Sequence, residues 1–298
     1  MKNMDIILKP NQPFNLELTL CCGQVFTWEQ KDGWWYGTVK GEVIKIRQKG
    51  RVIEFENVPE RFVEKYFRLD DDLEKILSEI SKDPYIERAV KTLKGLRLIR
   101  QDPWECLSAY ICATYKSIPA IKQMLRKISM KFGEIKKLDG YPFYTFPSAD
   151  SLAKASQEEL VACGLGYRAK YLSETAKKVA LGELNLEELK IKSYEESRKR
   201  LLSLQGVGFK VADCVLLFSL EKLEAFPVDV WIKRAMLMHY AECFEKQLLS
   251  KVLSKKNLSK RDYEAISHFG RKYFGRYAGY AQEYIYYFER TNLCPHCR

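Results

Sequence analysis

Leu204-Gln205-Gly206-Val207-Gly208-Phe209-Lys210-Val211-Ala212-Asp213-Cys214, followed nineteen residues after its lysine by Asp229 in Phe226-Pro227-Val228-Asp229-Val230-Trp231, fixes the architecture from which the rest of the chain is read. Upstream, Ser193-Tyr194-Glu195-Glu196 places a hydroxyl three residues before a glutamate, a capping box that opens a helix expected to run to about Leu204. Gly206 and Gly208 tolerate positive φ, so the chain can reverse there and expose consecutive backbone N–H groups. Val211, Cys214, Val215 and Phe218 then recur at i, i+3, i+4 and i+7, one apolar face of a second helix. The unit is helix, hairpin, helix over about residues 193–220. Helix-start N–H groups suit a phosphate oxygen. A Gly-Val-Gly run alone fits an ordinary structural turn better.

Lys210 and Asp229 add chemistry to that hairpin. A solvated lysine has a pKa near 10.4, so only about one in 2,500 carries the free amine that attacks carbon at neutral pH. Apolar surroundings and the positive end of a helix dipole both disfavour the ammonium, and Lys210 falls in the first turn of its helix. Position alone fits a phosphate-binding cation as well as a nucleophile. Pro227 biases Phe226 toward extended backbone, and Asp229 then stands as N-cap of a helix from Val230 to His239. A cap stabilises by roughly 1 kcal/mol, and a carboxylate so held can also face a cationic centre developing on a sugar. Asp213, three residues after Lys210, reads as its ordinary helix-surface ion-pair partner.

Four separated motifs now carry a resemblance. Gly-Val-Gly-x-Lys-Val-Ala-Asp-Cys, Pro-Val-Asp-Val, Gly164-Leu165-Gly166-Tyr167-Arg168-Ala169-Lys170-Tyr171 and Tyr277-Ala278-Gly279-Tyr280-Ala281-Gln282 are similar to the 8-oxoguanine DNA glycosylase/lyases of the helix-hairpin-helix DNA glycosylase superfamily, from about Gly23 to Tyr286. The resemblance implies an α+β protein, an antiparallel β-rich N-terminal domain packed on an all-helical glycosylase body. It implies a repair enzyme that flips the damaged base out of duplex DNA. Lys210 would then attack the anomeric carbon, displace 8-oxoguanine and nick the strand by β-elimination through a Schiff base, with Asp229 stabilising charge on the sugar.

Base selection by the same resemblance rests on Gly23, in Cys22-Gly23-Gln24-Val25-Phe26-Thr27-Trp28, whose carbonyl would accept a bond from N7–H of the lesion and face an acceptor in guanine. Without the resemblance Gly23 reads as a strand bulge. Gln282 matches the amide that reads the pairing edge, and Cys214 and Tyr286 match the two faces that sandwich the base, positions otherwise read as core. Gly206, Val207 and Gly208 would hold backbone phosphate. Tyr115 stands where the family commonly has Asn filling the gap left by the base, Tyr167 is the expected wedge, and Arg168 the remaining cytosine reader. Ala120 replaces a second such arginine, and Trp231 replaces a phosphate-contacting His, its indole N–H still a donor. Weaker discrimination of the opposite base follows.

Composition agrees. With 50 Lys+Arg against 39 Asp+Glu the formal charge is +11, which favours a polyanionic partner. The 298 residues, 46% hydrophobic, suffice for two cores, expected over 1–95 and 96–298. No apolar run approaches a membrane span and the N-terminus does not lead into a signal-peptide core, so an intracellular monomer bound to duplex DNA is expected. Nine scattered cysteines read as reduced thiols. Cys294-Pro295-His296-Cys297 supplies too few ligands for a metal site, and the four C-terminal cysteines of cluster-bearing relatives such as endonuclease III are not matched, so no metal or cofactor is expected. Phe14 to Phe55 alternates between turns at Lys31-Asp32-Gly33, Lys40-Gly41 and Lys49-Gly50, a meander. Phe62 to Ile80, Pro84 to Leu93 and nearly everything after Trp104 read as helix. A non-catalytic DNA-binding module and a glycosylase for another damaged base are the alternative readings.

Overall fold

The computed structural model describes residues 4–246, 249, 252 and 258–293; the Cys294/Cys297 pair lies outside them. A five-stranded antiparallel sheet, in the order β1-β5-β4-β3-β2, is built from β1 (Met4–Ile7), β2 (Trp28–Lys31), β3 (Trp34–Val39), β4 (Glu42–Lys49) and β5 (Val52–Glu56). The turn residues do what their chemistry requires. Asp32 and Gly33, then Lys40 and Gly41, all have positive φ, the two-residue turn whose twist matches that of paired strands. Gly37 in β3 leaves room for Trp28 across the register, where an added Cβ would sit 2.4 Å from the indole.

The expected meander is corrected at its start. Leu16–Cys21 is a short helix, α1, because the Asn15 side chain accepts a bond from the Leu18 N–H and caps it. Gly23 is accordingly not in a strand bulge; it follows α1 in a loop, with φ of +105°. The stretch from Phe62 to Ile80 is two helices, α2 (Glu60–Tyr66) and α3 (Leu73–Ile80), the second restarted by the Asp72 cap, and α4 spans Pro84–Thr92.

The helical body follows as α5 (Pro103–Ala113), α6 (Ile118–Phe132), α7 (Ala149–Lys154), α8 (Gln157–Ala162), α9 (Arg168–Ala180), α10 (Leu186–Ile191), α11 (Tyr194–Leu202), α12 (Phe209–Ser219), α13 (Val230–His239), and the helices Lys260–Phe274 and Ala278–Leu293. The capping boxes at Ser156/Glu159 and Ser193/Glu196 form with both reciprocal bonds. One element escapes the helical expectation: β6 (Ile135–Leu138) and β7 (Tyr141–Tyr144) make a hairpin that packs Leu138 and Phe143 against Tyr36 and Val43 of the sheet.

Two large cores result. The sheet, α1 and α2 enclose one around Ile46, Ile53, Phe55 and Val63. The other fills the helical body and includes α3 and α4 as well as Cys22 and Phe26, so the segment after α1 leaves the sheet's core and plugs into the helices. Gln24, 1% exposed, fixes it there, donating to the carbonyls of Thr19 (3.0 Å) and Arg97 (2.9 Å) and accepting from the Ile99 N–H (2.8 Å). The loop bearing Gly23 is thereby carried to the face where the hairpin opens. No helix among the described residues is long and apolar enough to cross a membrane.

Candidate active site

Where α11 ends at Leu202, the chain turns over residues 203–208 and restarts as α12 at Phe209. Gly206 has φ of +78°, and a Cβ there would lie 2.3 Å from the Tyr171 ring, so both backbone and space demand glycine. Gly208 differs from expectation: its φ of −90° is open to any residue, but nothing lies within 4 Å of an added Cβ, and it serves as the N-cap of α12. It leaves the helix start bare toward solvent. Val207 is buried and its N–H closes the turn on the Leu204 carbonyl (3.2 Å).

A cleft of about 750 Å³ opens beside this hairpin. Lys210, Cys214, Asp229, Trp231, Gln282, Tyr286, Gly23, Tyr115, Gly206 and Gly208 all line it, although they come from five separated segments of the chain. That convergence is what a polar-floored ligand site looks like.

Lys210 stands in the first turn of α12 and is exposed in the open cleft, so the apolar surroundings expected for it are missing on its outer side. Asp229 caps α13, accepting from the Trp231 and Ile232 N–H groups at 2.9 Å each. Protein packed around the cleft floor pushes its carboxyl above the ordinary range, opposed by the Lys210 charge, these two backbone donors and Arg290. Lys210 and Asp229 thus feel one another electrostatically across the cleft.

Asp213 corrects the sequence reading. It is not a surface partner of Lys210 but a fully buried hub of α12, accepting from Tyr194 Oη (2.8 Å), Tyr263 Oη (2.7 Å) and Arg198 Nε (2.8 Å) and Nη2 (3.1 Å). Burial works against its ionisation, and the guanidinium with the two phenols opposes that. The i+3 spacing from Lys210 turns it inward, because the whole run Val211–Ser219 is buried.

At the inner end, Cys214 is 4% exposed and burial pushes its thiol well up, leaving a neutral apolar face. Tyr286, on the C-terminal helix, is half-buried and lines the same cleft. Gln282, one turn earlier, is 5% exposed, and its Oε1 accepts no hydrogen bond among the described residues. Such a buried, unsatisfied acceptor is costly unless a ligand completes it.

Tyr115 is 80% exposed at the lip, with φ of +55°, a conformation bulky residues avoid. Tyr167 is exposed but lies outside the residues that line the cleft, stacked under the Arg168 guanidinium at 4.4 Å. Arg168 is buried, donating through Nε and Nη2 to the Thr114 carbonyl and through Nη1 to that of Leu165. In this state it is a backbone clamp rather than a presented reader.

Sequence reading missed Glu283 and Arg290, which also line the cleft. The signal was present: with Tyr286 they fall at i, i+3 and i+7 on one helix face. Lys116, Lys233 and Lys260 add positive charge to the rim.

Residues 6–107 match the family model of the 8-oxoguanine DNA glycosylase N-terminal domain, and residues 110–255 that of the HhH-GPD superfamily base excision DNA repair proteins. An N-glycosylase/DNA lyase of Arabidopsis thaliana is 32% identical, over 91% of this chain and 76% of the relative. One from Saccharomyces cerevisiae is 33% identical over 74% of this chain and 64% of its own length. Among solved structures, the Clostridium acetobutylicum 8-oxoguanine glycosylase/lyase in complex with duplex DNA containing cytosine opposite 8-oxoguanine superposes with a TM-score of 0.83 at 34% identity, covering 94% of this chain and 92% of that one.

Proposed function

This chain belongs to the 8-oxoguanine DNA glycosylase/lyase family of the helix-hairpin-helix base excision repair superfamily, and from that premise we propose how its residues divide the work of excising 8-oxoguanine and nicking the strand. The observation that carries the assignment is the meeting, in one cleft, of a lysine amine, a capped carboxylate and a buried pocket that ends in an unsatisfied amide.

Duplex DNA lies across the hairpin, its phosphate against the bare start of α12 at Gly206–Gly208, with Trp231 donating from the other wall. The target nucleotide leaves the stack and its base enters between Cys214 and Tyr286, reading Gln282 with its pairing edge and the Gly23 carbonyl with N7–H. Tyr115 fills the gap from its exposed lip position, and Tyr167 enters the stack beside it. Arg168 reaches the opposite base by exchanging its Thr114 carbonyl for base acceptors.

The bound duplex covers Lys210 and excludes the water that surrounds it in the open cleft. The neutral amine donates its lone pair to the anomeric carbon as the glycosidic bond breaks, and the bonding pair leaves with the base, which takes up a proton. Positive charge on the sugar is greatest midway. Asp229, fixed by two backbone bonds, requires no reorganisation to stabilise it. The amine then passes a proton to O4′ as the C1′–O4′ bond breaks, and the ring opens to a protonated Schiff base. Loss of a C2′ proton expels the 3′ phosphate and cuts the strand. The protein acts as a monomer on intracellular DNA, in keeping with its +11 charge.

A panel of duplexes, each with one lesion, tests the assignment. Release of 8-oxoguanine well above 3-methyladenine or oxidised pyrimidines is expected, and preferential release of either alternative would replace it.

A further inference from the structure

Gly23 sits between two anchored neighbours. The Gln24 carbonyl accepts from Gln101 Nε2 (2.7 Å) and Tyr110 Oη (3.2 Å). The Cys22 carbonyl accepts from Arg290 Nη1 (2.7 Å), and the Cys21 carbonyl from Arg290 Nη2 (3.2 Å). The same Nη1 also reaches Tyr286 Oη at 3.2 Å, and the guanidinium lies 5.6 Å from that ring's centroid. Space is tight as well, since a Cβ on Gly23 would stand 2.6 Å from Arg290 Nη1 and 3.2 Å from Tyr286 Oη. One side chain therefore holds, by charge-assisted bonds, both the loop carrying the Gly23 carbonyl and the aromatic ring of Tyr286. These two groups come from opposite ends of the sequence. Without a rigid link their separation would drift with any motion of the N-terminal segment against the C-terminal helix.

We propose that Arg290 is a positioning residue for lesion recognition, setting the Gly23 carbonyl and the Tyr286 ring at the separation that an everted 8-oxoguanine requires. Arg290 touches neither the sugar nor the scissile bond in this scheme. Its bonds to Cys21, Cys22 and Tyr286 lie at the base-reading end of the cleft, and its charge, which also bears on Asp229, is kept in Arg290→Lys. The inference rests on the roles given above to Gly23 and Tyr286. If the wild-type protein failed to release 8-oxoguanine at all, that reading would fall first and independently.

Glu283, 2% exposed, backs the same loop from the same helix face, its carboxyl interacting with the Cys22 thiol and the Arg290 charge. Both side chains thus bear on residues 21–23 from one helix. Arg290 is the member whose bonds reach the loop's backbone, so the test is built on it.

Two reactions of the same enzyme separate positioning from general damage. Excision of 8-oxoguanine needs the base pocket, whereas nicking at a preformed abasic site needs only Lys210, Asp229 and the DNA surface. Single-turnover rates of both are measured for the wild type, Arg290→Ala and Arg290→Lys. Arg290→Ala is expected to lower 8-oxoguanine excision by between about 10- and 100-fold, the usual consequence of an ångström-scale misplacement, with abasic nicking within about threefold of wild type by the same reasoning. Arg290→Lys, which keeps charge but loses the fork, falls between. Equal loss of both reactions, or no loss of either, would overturn the proposal while leaving the assignment of function in place.

Discussion

Replacing Asp213 with alanine separates the two carboxylates near Lys210 by what each does. The change removes the acceptor of Tyr194 Oη and Tyr263 Oη and of two Arg198 bonds, all in the buried interior. Arg198 keeps Glu264 at 2.8 Å, so it is not left wholly uncompensated. Two buried phenols stripped of their acceptor cost about 1–3 kcal/mol each, and a weakened buried ion pair adds to this, giving a total of about 4 kcal/mol. For 298 residues, an unfolding entropy of roughly 2 cal/mol/K per residue converts that to a fall of about 6 °C in Tm. The network ties α12 to α11 and to the helix Lys260–Phe274, so excision below the melting range should drop modestly as Lys210 loses its placement. Asp229→Asn should do the reverse, keeping the fold, since asparagine also caps, while lowering excision by about 10²–10³. The assays are thermal unfolding and single-turnover excision at 20 °C, a temperature chosen to be roughly well below any melt. An Asp213→Ala protein that kept its Tm to within about 1 °C yet made no covalent adduct with DNA would refute the assignment, and would make Asp213 the partner of the amine.

Three further outcomes follow from the same structure. Gly206→Ala forces a Cβ into the Tyr171 ring at positive φ; a loss of about 2–3 kcal/mol in denaturant unfolding is expected, with weaker duplex binding by fluorescence anisotropy. Glu283 has its carboxyl raised by burial from 4.5 to about 7, so the unfolded chain releases the proton first, and stability is full below about 4.5 and lost as pH rises through about 7. Glu283→Gln should remove that loss, by up to roughly 3 kcal/mol, when Tm is compared at pH 5 and pH 8. Ala120 offers no guanidinium to the opposite base, and Arg168, left as the single reader, must give up its Thr114 carbonyl to reach it; excision opposite C, A, G and T should therefore vary little, and a strict preference for C would contradict this.

Much of this molecule is legible in its residues because local chemistry and global packing agree. Asp32-Gly33 and Lys40-Gly41 can form only tight turns of one hand, and they pin the sheet register. Ser193 and Asp229 cap their helices as their side chains dictate, and Gly208 opens α12, so Lys210 and Asp229 stand at two helix starts. What escaped depends on contacts far apart in the chain. Asn15 starts a helix inside an alternating stretch, since tertiary burial of Leu16 and Leu20 outweighs the period-two pattern. The hairpin at 135–144 exists because the sheet offers Tyr36 and Val43 to cover its apolar side. Asp213 looked like half of a surface pair because spacing within one helix does not say which face another helix will cover. Arg290 is an unremarkable helix residue until its partners, nearly the whole chain away at Cys21 and Cys22, are in view.

The proposed chemistry rests on the amine of residue 210. Wild-type protein and Lys210→Gln are incubated with an 8-oxoguanine duplex in the presence of sodium borohydride, which reduces a Schiff base to a permanent bond. A trapped protein–DNA adduct with the wild type and none with Lys210→Gln, which still binds the duplex, is the predicted result. An adduct of undiminished yield with Lys210→Gln, or strand nicking that persists in it, would contradict the mechanism.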